Sequence, residues 1–160
     1  MEIRTAESKD YVEIAKLSKY FFPVHNIFQK TSKEVMKYLG SESMKSKLII
    51  CTKDDKVLAA CFIVTTDKNF DGTHMRWKLM HFCYYHESAA ILLLRESEKI
   101  IKKSSKTAKI ALTIAENEKA LIFFKKEGYI QEGELKNHYR HGETSYILGK
   151  TFNSKENITR

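Results

Sequence analysis

The side chains of this sequence that could move a proton include His81, His86 and Tyr139. Imidazole is the group whose ordinary titration lies nearest neutrality, so either histidine could act as a general base; each could equally be a structural hydrogen-bond donor, and Tyr139 could simply pack. Three thiols, Cys51, Cys61 and Cys83, are odd in number and widely spaced with no Cys-x-x-Cys, which predicts buried small hydrophobes rather than a disulfide framework, a zinc knuckle or any other metal site. A further group of interest runs from Asn117 to Tyr129, NEKALIFFKKEGY. Asn117 reads there as a helix N-cap, Glu118 as an anion favoured by the helix dipole, Lys125 and Lys126 as cations at the opposite end, and Gly128 as a left-handed C-terminal stop.

These groups need elements to place them. Ile110, Leu112 and Ile114 alternate with Lys109, Ala111, Thr113 and Ala115, the period of a strand, and lead into a helix with Ala120, Phe123 and Phe124 on its apolar face beside Leu121. Upstream, Ile3 and Arg4 begin a strand, Asp10 caps a helix carrying Ile14, Leu17 and Phe21, and Pro23 ends it. Residues 22–30 form an aromatic loop with His25 and Asn26 at its tip, read first as tucked onto the core and second as lining a ligand site. Thr31-x-x-Glu34 is a capping box opening a short helix that Gly40 stops. Residues 48–51 and 57–65 make a hairpin around Asp54 and Asp55, and residues 74–82 add a third strand of the same meander. Ser88 caps a helix through Ile91, Leu94, Glu98 and Ile101, whose lysine-rich end is read as a solvated surface. Residues 129–136 and 144–150 are two last strands joined around 137–142, and residues 153–160 are a polar tail whose Asn157-Ile158-Thr159 sequon carries no meaning in a cytosolic chain.

Composition bounds the rest. A chain of 160 residues with 42% hydrophobic and 30% charged residues is expected to be one globular domain, residues 1–152, with that tail. No apolar run is long enough to cross a membrane, and the acidic, h-region-free start predicts no leader and a cytoplasmic location. A net charge of +8 favours an anionic partner: nucleic acid, a phosphorylated cofactor or an acidic protein.

The element order β-α-α-β-β-β-α-β-α-β-β, with particular residues, resembles the GCN5-related N-acetyltransferases (GNAT) over nearly the whole chain. Met1-Glu2-Ile3-Arg4 with Ala6 and Asp10 is similar to the family's opening. Asn117-x-x-Ala120-x-x-Phe123-Phe124-x-x-x-Gly128-Tyr129 is similar to its Asn-x-x-Ala-x-x-[Leu/Phe]-Tyr-x-x-x-Gly-Phe pattern, and residues 135–143 to its last hairpin. The resemblance implies an α/β (α+β) acyl-CoA N-acyltransferase fold: a mixed, mostly antiparallel sheet flanked by helices and splayed between its fourth and fifth strands. Acetyl-CoA would enter the splay as cosubstrate. Its contacts would be the backbone around Met80, His81 and Phe82, the turn of Tyr85, His86, Glu87, Ser88, Ala89, Ala90 and Ile91, and Asn117 and Phe124 after the fifth strand.

Two departures are expected to matter. On the family's [Gln/Arg]-x-x-Gly-x-[Gly/Ala] pyrophosphate loop, Tyr85 replaces the amide or cation, Ser88 replaces the glycine, and Glu87 brings a carboxylate to the helix terminus, while Ala90 fits. Phe124 stands where many members have the tyrosine that protonates the departing thiolate. General acid catalysis is worth roughly 10²–10⁴-fold, so its loss slows transfer without abolishing it. His81, His86 and Tyr139 are then the candidate bases. The leading expectation is an N-acetyltransferase acting on a primary amine of a small molecule or protein by direct attack in a ternary complex, as a monomer or homodimer. The alternative is a degenerate member that binds a CoA-like ligand or a protein. A nucleic-acid-binding module, suggested by charge alone, ranks last.

Overall fold

A computed structural model describes residues 1–154. Its elements are β1 (Glu2–Thr5), α1 (Tyr11–Phe21), α2 (Ser32–Ser43), β2 (Lys47–Lys53), β3 (Lys56–Lys68), β4 (His74–Tyr84), α3 (Glu87–Lys102), β5 (Thr107–Ala115), α4 (Ala120–Lys126), β6 (Ile130–Lys136) and β7 (Thr144–Asn153), with single 3-10 turns at Ser8–Asp10 and Ile27–Gln29. The element order is the one the sequence predicts. Seven strands form a mixed, mostly antiparallel sheet in the order β1-β2-β3-β4-β5-β7-β6. The described chain falls into two compact units, Met1–Val64 with Met80–Glu96, and Thr65–Leu79 with the residues from Ser97 on.

In the first unit β1 and β3 flank β2 antiparallel, with Ile3 opposite Cys51 and Ile50 opposite Ala60. Leu48 through Thr52 are buried on both faces, which is why β2 is an unbroken apolar run rather than an alternating one. The two-residue turn into β3 puts Asp54 and Asp55 at φ of 51° and 61°, the left-handed pair of a type I′ hairpin made without glycine. Helix α1 buries Ile14, Leu17 and Phe21 as expected. Asp10 does not cap it, because its carboxylate is held by Arg4 at 2.7 and 2.9 Å and by the Glu7 backbone N–H at 2.8 Å. Pairing with Arg4 holds Asp10 below the usual carboxylate range. The Thr31–Glu34 capping box is present in both directions. Gly40 does not end α2, which runs on to Ser43: a β-carbon there would lie 3.6 Å from the Tyr11 ring, and Leu39 buries on the same turn, so packing holds a helix that propensity would stop.

In the second unit β5 and β6 both pair antiparallel with β7, and β5 pairs in parallel with β4 over Thr107–Ile110 and His74–Trp77. Ala108, Ile110, Leu112 and Ile114 bury one face of β5. Glu132 is the extra residue of a bulge in β6 and lies across Gly149 to reach Lys109 Nζ at 2.6 Å. A β-carbon at Gly149 would come within 2.6 Å of that carboxylate, so this glycine allows a close approach. Strand β7 continues through Asn153, past the expected start of the tail, and Ser154 Oγ and N both donate to the Lys106 carbonyl. The sequon at Asn157 lies outside the described residues. No helix among the described residues is long and apolar enough to cross a membrane.

Candidate functional site

Strand β4 carries a backbone irregularity inside the first unit: His81 sits at φ 55°, a left-handed conformation rare for a non-glycine residue in a strand. A residue in that conformation turns the neighbouring peptide groups away from a regular ladder, so residues 80–82 do not run as an ideal strand. Aromatic rings surround the His81 side chain. Phe28, Tyr38, Phe22 and Phe62 stand with ring centroids 4.8, 5.6, 6.0 and 6.2 Å away, all edge-on. His81 Nε2 and the Tyr38 hydroxyl are 2.6 Å apart. The aromatic loop is therefore tucked inward at Phe22 and Phe28, with Asn26 capping its 3-10 turn by accepting the Phe28 N–H at 3.1 Å, while Val24 and His25 remain exposed.

The turn into α3 differs from expectation at one residue. Ala89 and Ala90 both donate to the His86 carbonyl, so the helix begins at Glu87 and Ser88 is its second residue rather than its cap. His86, Glu87 and Ser88 are exposed, Ala89 and Ala90 are fully buried, and the Tyr85 ring leans on Tyr20 at 5.1 Å. Burial, with Glu87 nearby, pushes the Tyr84 hydroxyl up to about 12. Desolvation also raises the Cys51 thiol, and Cys83, beside Ser18 Oγ at 3.7 Å, is pushed up to about 12. Those two thiols stay protonated at neutral pH and serve as core, not as acyl-carrying nucleophiles.

In the second unit, β5 ends at Ala115 and the chain reverses with Glu118 N–H donating to the Ala115 carbonyl at 3.0 Å. Helix α4 then starts at Ala120 with Lys119, not Asn117, in the cap position. Asn117 is displaced from its expected role because the reversal consumes it as a turn residue; its side chain is exposed. The other end of α4 is as expected. Gly128, at φ 90°, donates to the Lys125 carbonyl and Tyr129 to the Phe124 carbonyl, the two bonds of a Schellman stop. Phe124 is a core ring, 1% exposed, against Phe123 and Tyr129 at 5.3 and 5.0 Å. Tyr139 lies in the 137–142 hairpin, 55% exposed, and burial together with Glu118 raises its hydroxyl.

No protein-family profile matches this sequence, and no curated protein matches it. Solved structures do. A GNAT acetyltransferase from Streptococcus pneumoniae aligns with a TM-score of 0.64 at 18% identity, covering 95% of this chain and 99% of that one. Arabidopsis thaliana Naa50, solved in complex with the bisubstrate analogue CoA-Ac-MVNAL, aligns at 0.69 and 20% identity over 94% and 98%. The aminoglycoside 6′-N-acetyltransferase from Enterococcus faecium aligns at 0.67 and 12% identity over 94% and 97%.

The chain has the GNAT fold. Within that fold the expected residues separate by unit. His81 joins an aromatic cluster on β4 with Tyr38, and His86 stands exposed at the start of α3; Tyr139, Asn117 and Phe124 belong to the second unit. Two groups escaped the sequence reading. Tyr38, on α2, gave no signal because only the fold brings it to His81. Glu118 read as a helix-terminal anion, yet its carboxyl is half-buried and, chiefly through that burial, is pushed up to about 7.

Proposed function

We propose that this GNAT-fold chain belongs to the acetyltransferase family and transfers an acetyl group from acetyl-CoA to a primary amine, of a small molecule or a protein, by direct attack in a ternary complex. The observation that carries the reading is the strand–turn–helix unit. Asn117, Ala120, Phe123 and Gly128 keep the sequence spacing of the family pattern, and helix α4 ends in a Schellman stop at Gly128.

The residues present fit a bound acetyl-CoA. The start of α3 lies on an exposed turn, where the positive end of the helix dipole suits a pyrophosphate; Glu87 on that turn opposes it, and its exposure keeps the repulsion small. Residues 80–82, bent out of the regular ladder by His81, suit the amides of a pantetheine arm. Acetyl-CoA supplies an activated thioester. The protein binds and orients the amine, excludes water and accepts its proton, with His81, His86 and Tyr139 as candidate bases. In the first unit the acceptor would be selected by the loop at Phe22 and helix α2. Naa50, held with a peptide-bearing bisubstrate analogue, and the aminoglycoside 6′-N-acetyltransferase share the fold, which supports an amine of either class.

A second reading is favoured by one observation. Phe124, with no hydroxyl, fills the core where the family's acid stands, so a degenerate protein that binds a CoA ligand or a protein partner without transfer is the alternative. Calorimetric titration with acetyl-CoA, followed by thiol release across short peptides with free N-termini and small polyamines, separates the two. Binding with thiol release supports the transferase, binding alone the degenerate member, and absence of binding at millimolar acetyl-CoA overturns the transferase and any CoA-binding role, leaving a protein-binding member.

A further inference from the structure

We propose that Tyr38 and His81 form a proton relay for the acceptor amine, the Tyr38 hydroxyl taking the amine's proton as it passes its own to His81 Nε2; the proposal rests on the transferase reading above and adds a residue to it. The two groups come from different elements of the first unit, Tyr38 from α2 and His81 from β4, and the Tyr38 hydroxyl stands 2.6 Å from His81 Nε2. Both side chains are half-buried. On the transferase reading α2 lies on the acceptor side of the site, and His81 belongs to the bent segment that suits the pantetheine arm, so the pair joins the two.

Packing fixes the imidazole. Phe28 stands edge-on to the His81 ring at 4.8 Å and to the Tyr38 ring at 6.0 Å, while Phe22 and Phe62 stand edge-on to His81 at 6.0 and 6.2 Å; all three phenylalanines are buried. The backbone of His81, at φ 55°, is a sparsely populated conformation that persists where the surroundings over-determine it. A phenyl ring neither gives nor takes a proton, so the group that exchanges one with Nε2 is the Tyr38 hydroxyl. Burial first, and Glu42 second, raise that hydroxyl, so it keeps its proton at neutral pH and donates it to Nε2. A hydroxyl oxygen that donates still has lone pairs to accept an incoming ammonium N–H. Glu42, the charged group that faces Tyr38 from α2, is itself paired with Lys45 at 3.6 Å. From the aromatic loop and from β3 the side chains that face His81 are Phe22, Phe28 and Phe62.

The step balances. An ammonium N–H bond breaks and its proton passes to the Tyr38 oxygen, while the Tyr38 O–H bond breaks and that proton passes to His81 Nε2, leaving an imidazolium. The freed nitrogen lone pair forms the bond to the thioester carbonyl carbon, the carbon–sulfur bond breaks, and the second proton lost by nitrogen ends on the thiol of CoA. The imidazolium returns its proton through Tyr38 to water.

Two variants and two measurements test this. Y38F keeps the ring against Phe28 and removes only the hydroxyl; H81N removes the imidazole with a residue that tolerates left-handed backbone. In ¹⁵N-histidine spectra of the neutral wild-type protein, the resonance absent from H81N should belong to an imidazole protonated on Nδ1, and its Nε2 signal should move in Y38F. For kinetics, acetyl-CoA is paired with whichever short peptide or small polyamine the wild-type protein acetylates fastest. Each variant should lose roughly 10²–10⁴-fold in kcat with its acetyl-CoA affinity kept, and the double variant should be no slower than the slower single one, because a relay broken once is broken. The rise of kcat/KM with pH should move to lower pH in Y38F, since the imidazolium loses the oxygen that accepts from its Nε2–H. A His81 protonated on Nε2 in the neutral protein, a Y38F enzyme with the wild-type rate and pH profile, or losses that multiply in the double variant overturn the relay while leaving the transferase reading standing. A wild-type protein that binds no acetyl-CoA, or binds it and releases no thiol with any amine, overturns that reading and the relay with it.

Discussion

Glu98 lies on the stripe of α3 that helical spacing assigns to the core, and it is buried there at 4% exposure. It is tolerable only because Lys150 Nζ reaches its Oε1 at 3.0 Å and the Tyr129 hydroxyl donates to it at 3.2 Å. Lys150 also donates to the Glu127 carbonyl and stands over the Tyr129 and Phe152 rings, so one ammonium ties β7 to the end of α4. Removing one charge strands the other: Glu98→Gln should cost about 3 kcal/mol in a urea melt. The Asp54–Asp55 turn makes the opposite prediction. Both aspartates hold positive φ, a strain that glycine lacks, so Asp55→Gly should stabilise by about 0.5 kcal/mol, read as a higher urea midpoint at unchanged slope. The turn was legible from its two aspartates, and the partnership of Glu98 with Lys150 was not, because 52 residues of chain separate them.

Helix ends were unequally legible. The Thr31–Glu34 box and the Gly128 stop came straight from the residues, since each is closed by groups within a few positions of one another. The starts of α3 and α4 were misplaced, at Ser88 and Asn117. In both places a turn dictated by the preceding strand sets where the first helical carbonyl falls, and a good cap residue nearby is overruled. Gly40 failed as a stop for a related reason, because α2 is held by the burial of Val35 and Leu39 rather than by propensity. At Gly128 the backbone itself makes the demand. A β-carbon there would meet only Lys150 at an ordinary 3.8 Å, so the cost of Gly128→Ala is conformational, about 1–2 kcal/mol, measurable as a drop in thermal midpoint with no loss of secondary structure.

For the whole molecule, a cosubstrate that binds only the folded chain stabilises it by mass action. Acetyl-CoA at about 100 times its dissociation constant should add about 2.7 kcal/mol, appearing as a rise in thermal midpoint that CoA matches in direction. Glu87→Gln should increase that rise at low salt and leave the ligand-free midpoint nearly unchanged, since Glu87 is exposed. Local information was enough to determine the order of strands and helices, the meander of β2 to β4, the buried thiols and the strand–helix unit ending at Gly128, because hydrophobic period, caps and turns act over a few residues. Only the tertiary structure decided that His81 takes a left-handed conformation inside an aromatic cluster, that its ring meets Tyr38, and that Glu118 is half-buried. Those groups meet across tens of residues of chain, and the burial that moves a carboxyl toward neutrality belongs to the packed fold, not to the residue type.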